Sequence, residues 1–97
     1  MGKTHDPERS TVEHVAQKLA GLYENPFGGK DRGKYRLSAR HLRQLCGRRR
    51  LYADDLAQLS RALIEEGFVL IDLDNFYVVV SANAFVNYRR ANDECLS

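Results

Sequence analysis

The segment FVLIDLDNFYVVV, residues 68–80, contains two largely apolar runs separated by the polar residues Asp74 and Asn75. Asp74 and Asn75 tolerate the left-handed backbone of a two-residue turn, so the segment predicts a β-hairpin. A turn at this point pairs three sets of apolar side chains across the strands, namely Val69 with Val80, Ile71 with Val78 and Leu73 with Phe76. Because all six side chains are apolar, we expect this face of the hairpin to be a core face.

The opposite face of the hairpin is unusually apolar for a surface in water. It carries Phe68, Leu70, Tyr77 and Val79, with Asp72 opposite Tyr77. We expect the fourth helix of the chain, predicted over 82–91, to cover part of this face, and a second subunit is the alternative. Side chains on the terminal helices are available for pairing two copies as a homodimer, and they are Val12, Leu19, Phe85 and Tyr88.

Upstream and downstream of the hairpin, the spacing of apolar residues and the capping residues predict four helices and one more strand. The predicted elements are a helix over 11–24, a strand over 34–38, helices over 39–46 and 54–66, and a fourth helix over 82–91. Ser10 and Glu13 form a capping box for the first helix. Ser38 and Ser81 cap the second and fourth helices.

The resulting order of elements is helix, strand, helix, helix, hairpin, helix, which makes the chain an α+β protein. This order resembles the winged helix-turn-helix fold, in which the second and third helices form the helix-turn-helix and the hairpin is the wing. The resemblance covers residues 11–91, with a disordered tail over 1–10 and a loose tail over 92–97. The link between the second and third helices, GRRRLYA, is longer than the turn of compact helix-turn-helix units.

Positive charge is concentrated in one part of the chain. Residues 28–50 hold nine of the fifteen Lys and Arg and one acid, Asp31, so this segment carries +8. Since the whole chain carries +2, the other residues sum to −6. Such local fields attract polyanions whatever the net charge of the molecule.

The resemblance implies that this segment approaches DNA, with the second helix and its link beside the backbone and the third helix in the major groove. The candidate phosphate contacts are Lys34, Arg36, Arg40, Arg43, Arg48, Arg49 and Arg50. Gln58 and Arg61 are the candidate base contacts on the third helix. The alternative is that the arginines solvate the surface or pair with carboxylates of this chain or a neighbour.

We therefore expect a non-catalytic protein that binds double-stranded DNA, as a transcriptional regulator or an accessory factor of a DNA-processing complex. Two features argue against strong base recognition: Asp54 and Asp55 make the first turn of the third helix acidic, and the tip of the wing has no cation. These features keep a second function open. The same fold is then an adaptor that docks on an acidic surface of a protein partner.

The sequence offers little support for catalysis. Gly28, Gly33 and Lys34 fit GxxxxGK, the start of a nucleotide-binding P-loop, but Tyr35 stands where the motif requires Ser or Thr. The carboxylate pairs lie at helix starts, on solvated helix faces or at the turn, where ordinary structural roles explain them. The three histidines are scattered and lack the spacing of a metal site. We expect no enzyme activity, no cofactor and no metal.

The chain has neither an apolar run long enough for a membrane helix nor a secretory leader at its start. Cys46 and Cys95 are not placed like the two halves of a disulfide. We therefore expect a soluble, cytoplasmic protein with free thiols and no membrane partner.

Overall fold

The computed structural model describes residues 11–26, 29 and 32–96 of the chain. The elements are α1 (Val12–Glu24), β1 (Tyr35–Ser38), α2 (Ala39–Cys46), α3 (Ala53–Glu65), β2 (Phe68–Asp72), β3 (Phe76–Ser81), a 3-10 turn (Ala82–Phe85) and α4 (Asp93–Leu96). The predicted α+β class is confirmed. The prediction of a disordered tail over 1–10 lies outside the described residues. Within the described ranges, no helix combines the length and the apolar character that crossing a bilayer requires.

The three strands form one antiparallel sheet with the order β1-β3-β2. The predicted hairpin register is confirmed, because Val69 pairs with Val80 and Ile71 pairs with Val78. Asp74 has φ 71° at the turn, and its backbone N–H donates to a carboxylate oxygen of Asp72 at 2.9 Å. Local turn chemistry therefore fixes which residues of the two strands face each other.

The predicted inner face of the hairpin is wrong. Val79 and Tyr77 are 0% and 7% exposed and belong to the core. On the opposite face, which was predicted to be the core face, Val80 is buried at 8% exposed, but Val69, Ile71 and Val78 are only half-buried.

The third strand explains this inversion. β1 pairs with β3 so that Tyr35 lies opposite Val79 and Leu37 lies opposite Tyr77. Because β1 has apolar side chains on one face and Arg36 on the other, its pairing turns the Tyr77 and Val79 face toward the helices. Helices α1, α2 and α3 thus cover the face that was predicted to be the outer one, in place of the fourth helix or second subunit that the sequence suggested.

The core lies between α1, α2, α3 and this inner face of the sheet. Its most buried large side chains are Val15, Leu19, Leu42, Leu63 and Val79. Leu19 is fully buried, so the prediction that it is available for pairing two copies is wrong. The core holds β1 and α2, which carry three of the seven candidate phosphate contacts, against the rest of the domain.

The helix starts are set by side-chain caps. Thr11, not the predicted Ser10, is the N-cap of α1, and its hydroxyl accepts from the backbone N–H of His14 at 3.2 Å. Ser38 caps α2 as predicted, with its hydroxyl accepting from the N–H of His41 at 3.0 Å. These hydroxyls satisfy amides that have no partner within the helix.

The predicted fourth helix over 82–91 is wrong. Ser81 accepts from the N–H of Asn83 and caps only the 3-10 turn, and the chain from 86 to 92 is not helical. Phe85 and Tyr88 form an edge-to-face pair at 5.3 Å but both remain exposed. A short helix without an apolar face against the core is marginal in water, which explains its absence. The predicted loose tail over 92–97 includes α4, a single helical turn.

Tyr35 ties β1 to α1, because its hydroxyl donates to the backbone carbonyl of Leu19 at 2.6 Å. Burial raises the pKa of Tyr35 above its usual value of about 10. The phenol therefore ionises more readily in the unfolded chain than in the folded one. Its contribution to stability is fully present below about pH 10 and is lost as the pH rises above that value.

Replacing Tyr35 with Phe is expected to lower the free energy of unfolding at pH 7 by about 1 kcal/mol, because this hydrogen bond is removed. The variant should also lose less of its remaining stability than the wild type between pH 9 and pH 11. Urea unfolding across this pH range measures both effects. Parallel curves for the two proteins would show that Tyr35 does not couple folding to alkaline pH.

Candidate nucleic-acid interface

The first candidate phosphate contacts lie on β1 and just before it. Lys34 and Arg36 are exposed, and Arg36 extends from the outer face of the sheet because Tyr35 and Leu37 occupy the inner one. The guanidinium carbon of Arg36 lies 5.3 Å from the centre of the Phe76 ring. This cation–π contact restrains the side chain while leaving its N–H donors accessible.

The next two candidates lie on α2, whose inner side is fixed by Leu42 and Cys46 in the core. Arg40 is exposed and Arg43 is half-buried. Burial and the charge of Asp72 raise the pKa of Tyr77, and the charge of Arg43 opposes them. Arg43 therefore interacts electrostatically with the Tyr77 hydroxyl.

The loop 47–52 connects α2 to α3 and carries the remaining three arginines. Gly47 ends α2 with φ 67°, a left-handed conformation that glycine adopts without steric cost. Its N–H donates to the Gln44 carbonyl at 3.1 Å, and the N–H of Arg48 donates to the Arg43 carbonyl at 3.0 Å. The start of the loop is thus held against the last turn of α2.

Arg48 differs from the two arginines that follow it. Its guanidinium donates to Asp55 Oδ1 at 2.9 Å, and the two side chains are 32% and 20% exposed. Asp55 Oδ2 accepts from the backbone N–H of Tyr52 at 2.9 Å. Arg49 and Arg50 are exposed between these two contacts.

The ion pairs separate Arg48 from the other candidates. In the ranges 11–26, 29 and 32–96, the ion pairs are Arg48 with Asp55 and Arg32 with Glu24. The other six candidate phosphate contacts have no ion pair to a described carboxylate, and we call them the cation set: Lys34, Arg36, Arg40, Arg43, Arg49 and Arg50. Among the described residues, Arg48 therefore forms an ion pair with a carboxylate of this chain, and no member of the cation set does.

The candidate base contacts have acidic neighbours. Gln58 and Arg61 line a groove of about 330 Å³ between α1 and α3, which Glu13 and Glu65 also line. The side-chain amide of Gln58 donates to Asp54 at 3.0 Å. The structure thus places these two residues beside carboxylates, which repel a phosphate backbone.

Cys46 is the last residue of α2, directly before the loop 47–52, and burial makes its thiol unreactive. Burial raises the pKa of its thiol; the charge of Arg48 lowers this pKa and that of Asp55 raises it. A protonated, buried thiol is a weak nucleophile. Cys95, in contrast, is exposed on α4.

Among the residues that the structure describes, no His, Cys, Asp and Glu side chains group together in a way that could hold a metal ion. Comparisons of the chain with protein-family models, with curated proteins and with solved structures found no match. The site therefore has to be interpreted from its own residues.

Asp55 is the residue whose role at the site was missed from sequence. Its position in the first turn of α3 suggested that it caps the helix and complements the helix dipole, with no contact to an arginine. An Asp three residues after a helix cap is itself a signal for a bond back to the cap N–H. The additional bond to Arg48 depends on the path of the loop and has no comparable sequence signal.

Proposed function

We propose that this protein binds double-stranded DNA without catalysis, mainly through the phosphate backbone. The observation that supports the proposal is the cation set, six basic side chains from β1 and the residue before it, α2 and the loop 47–52, without ion pairs to described carboxylates. Like charges held close together repel one another, and a bound polyanion relieves this repulsion. A nucleic-acid backbone supplies such an anion at regular spacing.

The proposal includes a winged helix-turn-helix, formed by α2 and α3 with the β2–β3 hairpin as its wing. In this arrangement α2 and the loop 47–52 lie along the DNA backbone. Arginine suits that position because its planar guanidinium donates to two phosphate oxygens at once and keeps its charge. The contacts that it makes are the same for every base sequence.

Two observations favour backbone contact over base recognition. Gln58 and Arg61 share their groove with Glu13 and Glu65, so the exposed side of α3 is not a basic surface. The hairpin tip carries the exposed Asp72 and Asp74. We therefore expect affinities for unrelated duplexes to agree within about threefold, whereas a single mismatched base pair costs a sequence-reading protein about 1–3 kcal/mol.

The salt dependence of binding tests the proposal. If about five members of the cation set each neutralise one phosphate, log affinity should fall with log salt at a slope near −4 to −5. Affinity should then drop roughly 500-fold between 50 and 200 mM salt. Fluorescence anisotropy with a labelled duplex of random sequence measures this slope.

A flat salt dependence, or no binding at 50 mM salt, would contradict the proposal. The second candidate function, docking on an acidic surface of a protein partner, accounts for those results. The outer face of the sheet favours this candidate, because half-buried apolar side chains such as Ile71 and Val78 lie next to Arg36 there. A partner of that kind would combine apolar and acidic groups.

A further inference from the structure

The loop 47–52 is fastened at both ends by a single carboxylate. Asp55 Oδ1 accepts from the guanidinium of Arg48 at the start of the loop, and Asp55 Oδ2 accepts from the N–H of Tyr52 at its end. Each of these hydrogen bonds is 2.9 Å long. A surface loop with only backbone contacts at one end would sample many more conformations.

The exposed arginines lie between these two hydrogen bonds. Arg49 and Arg50 follow Arg48 directly and precede the Tyr52 amide by three and two residues. Neither forms an ion pair with a described carboxylate. Asp55 thus restrains the backbone that carries two members of the cation set while binding neither of their side chains.

We propose that Asp55 is a positioning residue for DNA binding, which holds Arg49 and Arg50 ready to contact phosphates, and that Arg48 is its partner in this role. The inference rests on the proposed function. It also changes the role of Arg48, which the sequence had suggested as a phosphate contact. Arg48 then acts through Asp55 and contributes little direct attraction to DNA.

Charge and positioning predict opposite effects when Asp55 is removed. A carboxylate near a DNA backbone repels it, so charge alone predicts tighter binding after its removal. Positioning predicts weaker binding, because a mobile loop must be ordered when it binds. The sign of the change in affinity therefore distinguishes the two roles.

Asp54 provides a matched control for this experiment. It is adjacent to Asp55 in the first turn of α3, it is exposed, and its carboxylate accepts only from the Gln58 side chain among the hydrogen bonds described. Asp54→Ala and Asp55→Ala each remove one negative charge from the same helical turn. They differ in that only the second releases the loop.

We expect Asp55→Ala to weaken binding to a random duplex roughly tenfold, from the ordering of two arginine side chains and their backbone. Asp54→Ala should bind as tightly as the wild type or up to about threefold more tightly. Asp55→Glu should restore most of the affinity, because Glu at this position also reaches back to the cap N–H. Melting curves and circular dichroism establish that each variant is folded.

Equal or tighter binding by Asp55→Ala, compared with Asp54→Ala, would overturn the proposal and leave Asp55 as a helix cap alone. If Asp55→Ala does not fold, Arg48→Ala removes the side-chain restraint at the start of the loop, where the two backbone hydrogen bonds to α2 remain, and leaves the cap intact. That variant should weaken binding by more than the removal of one cation does in Arg40→Ala, and an equal decrease would overturn the proposal.

Failure of the proposed function is recognised separately, because the wild type itself would then not bind DNA. The loop restraint is still measurable in that case. Hydrogen exchange of the Arg48 amide, which donates to the Arg43 carbonyl at the start of the loop, should be several-fold faster in Asp55→Ala than in Asp54→Ala. Equal exchange rates would show that Asp55 does not restrain the loop.

Discussion

Reversing Arg49 and Arg50 to glutamate together is expected to weaken binding to duplex DNA by roughly a hundredfold or more at 100 mM salt. Each substitution removes one phosphate contact and places a negative charge opposite the backbone. The slope of log affinity against log salt should become less steep by about 2, one unit for each arginine that no longer neutralises a phosphate. Anisotropy titrations of wild type and variant over the same salt series measure both quantities.

The fold should tolerate this double reversal. Arg49 and Arg50 are exposed, and surface substitutions of this kind change stability by about 0.5 kcal/mol or less. Arg48 is left unchanged on purpose, since a glutamate there would face Asp55 at the site of the present 2.9 Å ion pair. Like charges at that distance would disturb the loop and confuse binding with folding.

The chain contains its own control in Arg89 and Arg90. This pair is also adjacent and exposed, and it lies after the 3-10 turn, outside the cation set. Its reversal to glutamate changes the net charge by the same amount. We expect affinity within about fivefold of the wild type for this control, since the proposed interface assigns no phosphate contact to this pair and charges beyond about 10 Å from the DNA are screened at 0.1 M salt.

An equal decrease in affinity in both double variants would mean that net charge alone governs binding. Unchanged affinity in the Arg49 and Arg50 variant would place the contact surface elsewhere. Both results are compatible with a folded protein. They therefore bear on the interface itself.

Local signals were sufficient for much of the fold. Helix α2 was predicted with its observed limits because Ser38 caps it and Gly47 ends it, and both effects depend on neighbours within four residues. The hairpin register was predicted for the same reason, since Asp74 and Asn75 define the turn and the strands follow from it. Sequence reasoning succeeds where the determining contacts are close along the chain.

The inner face of the hairpin could not be obtained in this way. Both faces are apolar, so the pattern of the hairpin alone does not select one. The choice is made by β1, which ends thirty residues before the hairpin begins and brings Tyr35 and Leu37 opposite Val79 and Tyr77. Pairing at such a distance along the chain is invisible to a local pattern.

The candidate site also combines features that local sequence patterns predicted with one that they did not. Exposure of most of the predicted cations followed from helical and strand periodicity, and six of the seven have no ion pair to a described carboxylate. Arg48 was grouped with Arg49 and Arg50 because they are consecutive in sequence. Its bond to Asp55 depends on how the loop turns after Gly47, which periodicity does not describe.

The largest expected effect on stability comes from Leu63, which lies on the inner side of α3. Leu63 is fully buried and belongs to the cluster that joins α1, α3 and the sheet. Its replacement with Ala should lower the free energy of unfolding by about 3 kcal/mol, the sum of the reduced burial and of the cavity that remains. For a domain of this size that corresponds to a fall in Tm of roughly 15 °C.

Ile64→Ala is the matched control, because Ile64 is the next residue of the same helix and is 57% exposed. We expect its unfolding free energy within about 0.5 kcal/mol of the wild type. Urea unfolding of the two variants measures the difference, and similar decreases would mean that α3 is rotated from the orientation described. Since Leu63→Ala alters no member of the cation set, its affinity for DNA well below its Tm should match the wild type. Weaker binding by the folded variant would show that the core, and not the charges alone, sets the geometry of the interface.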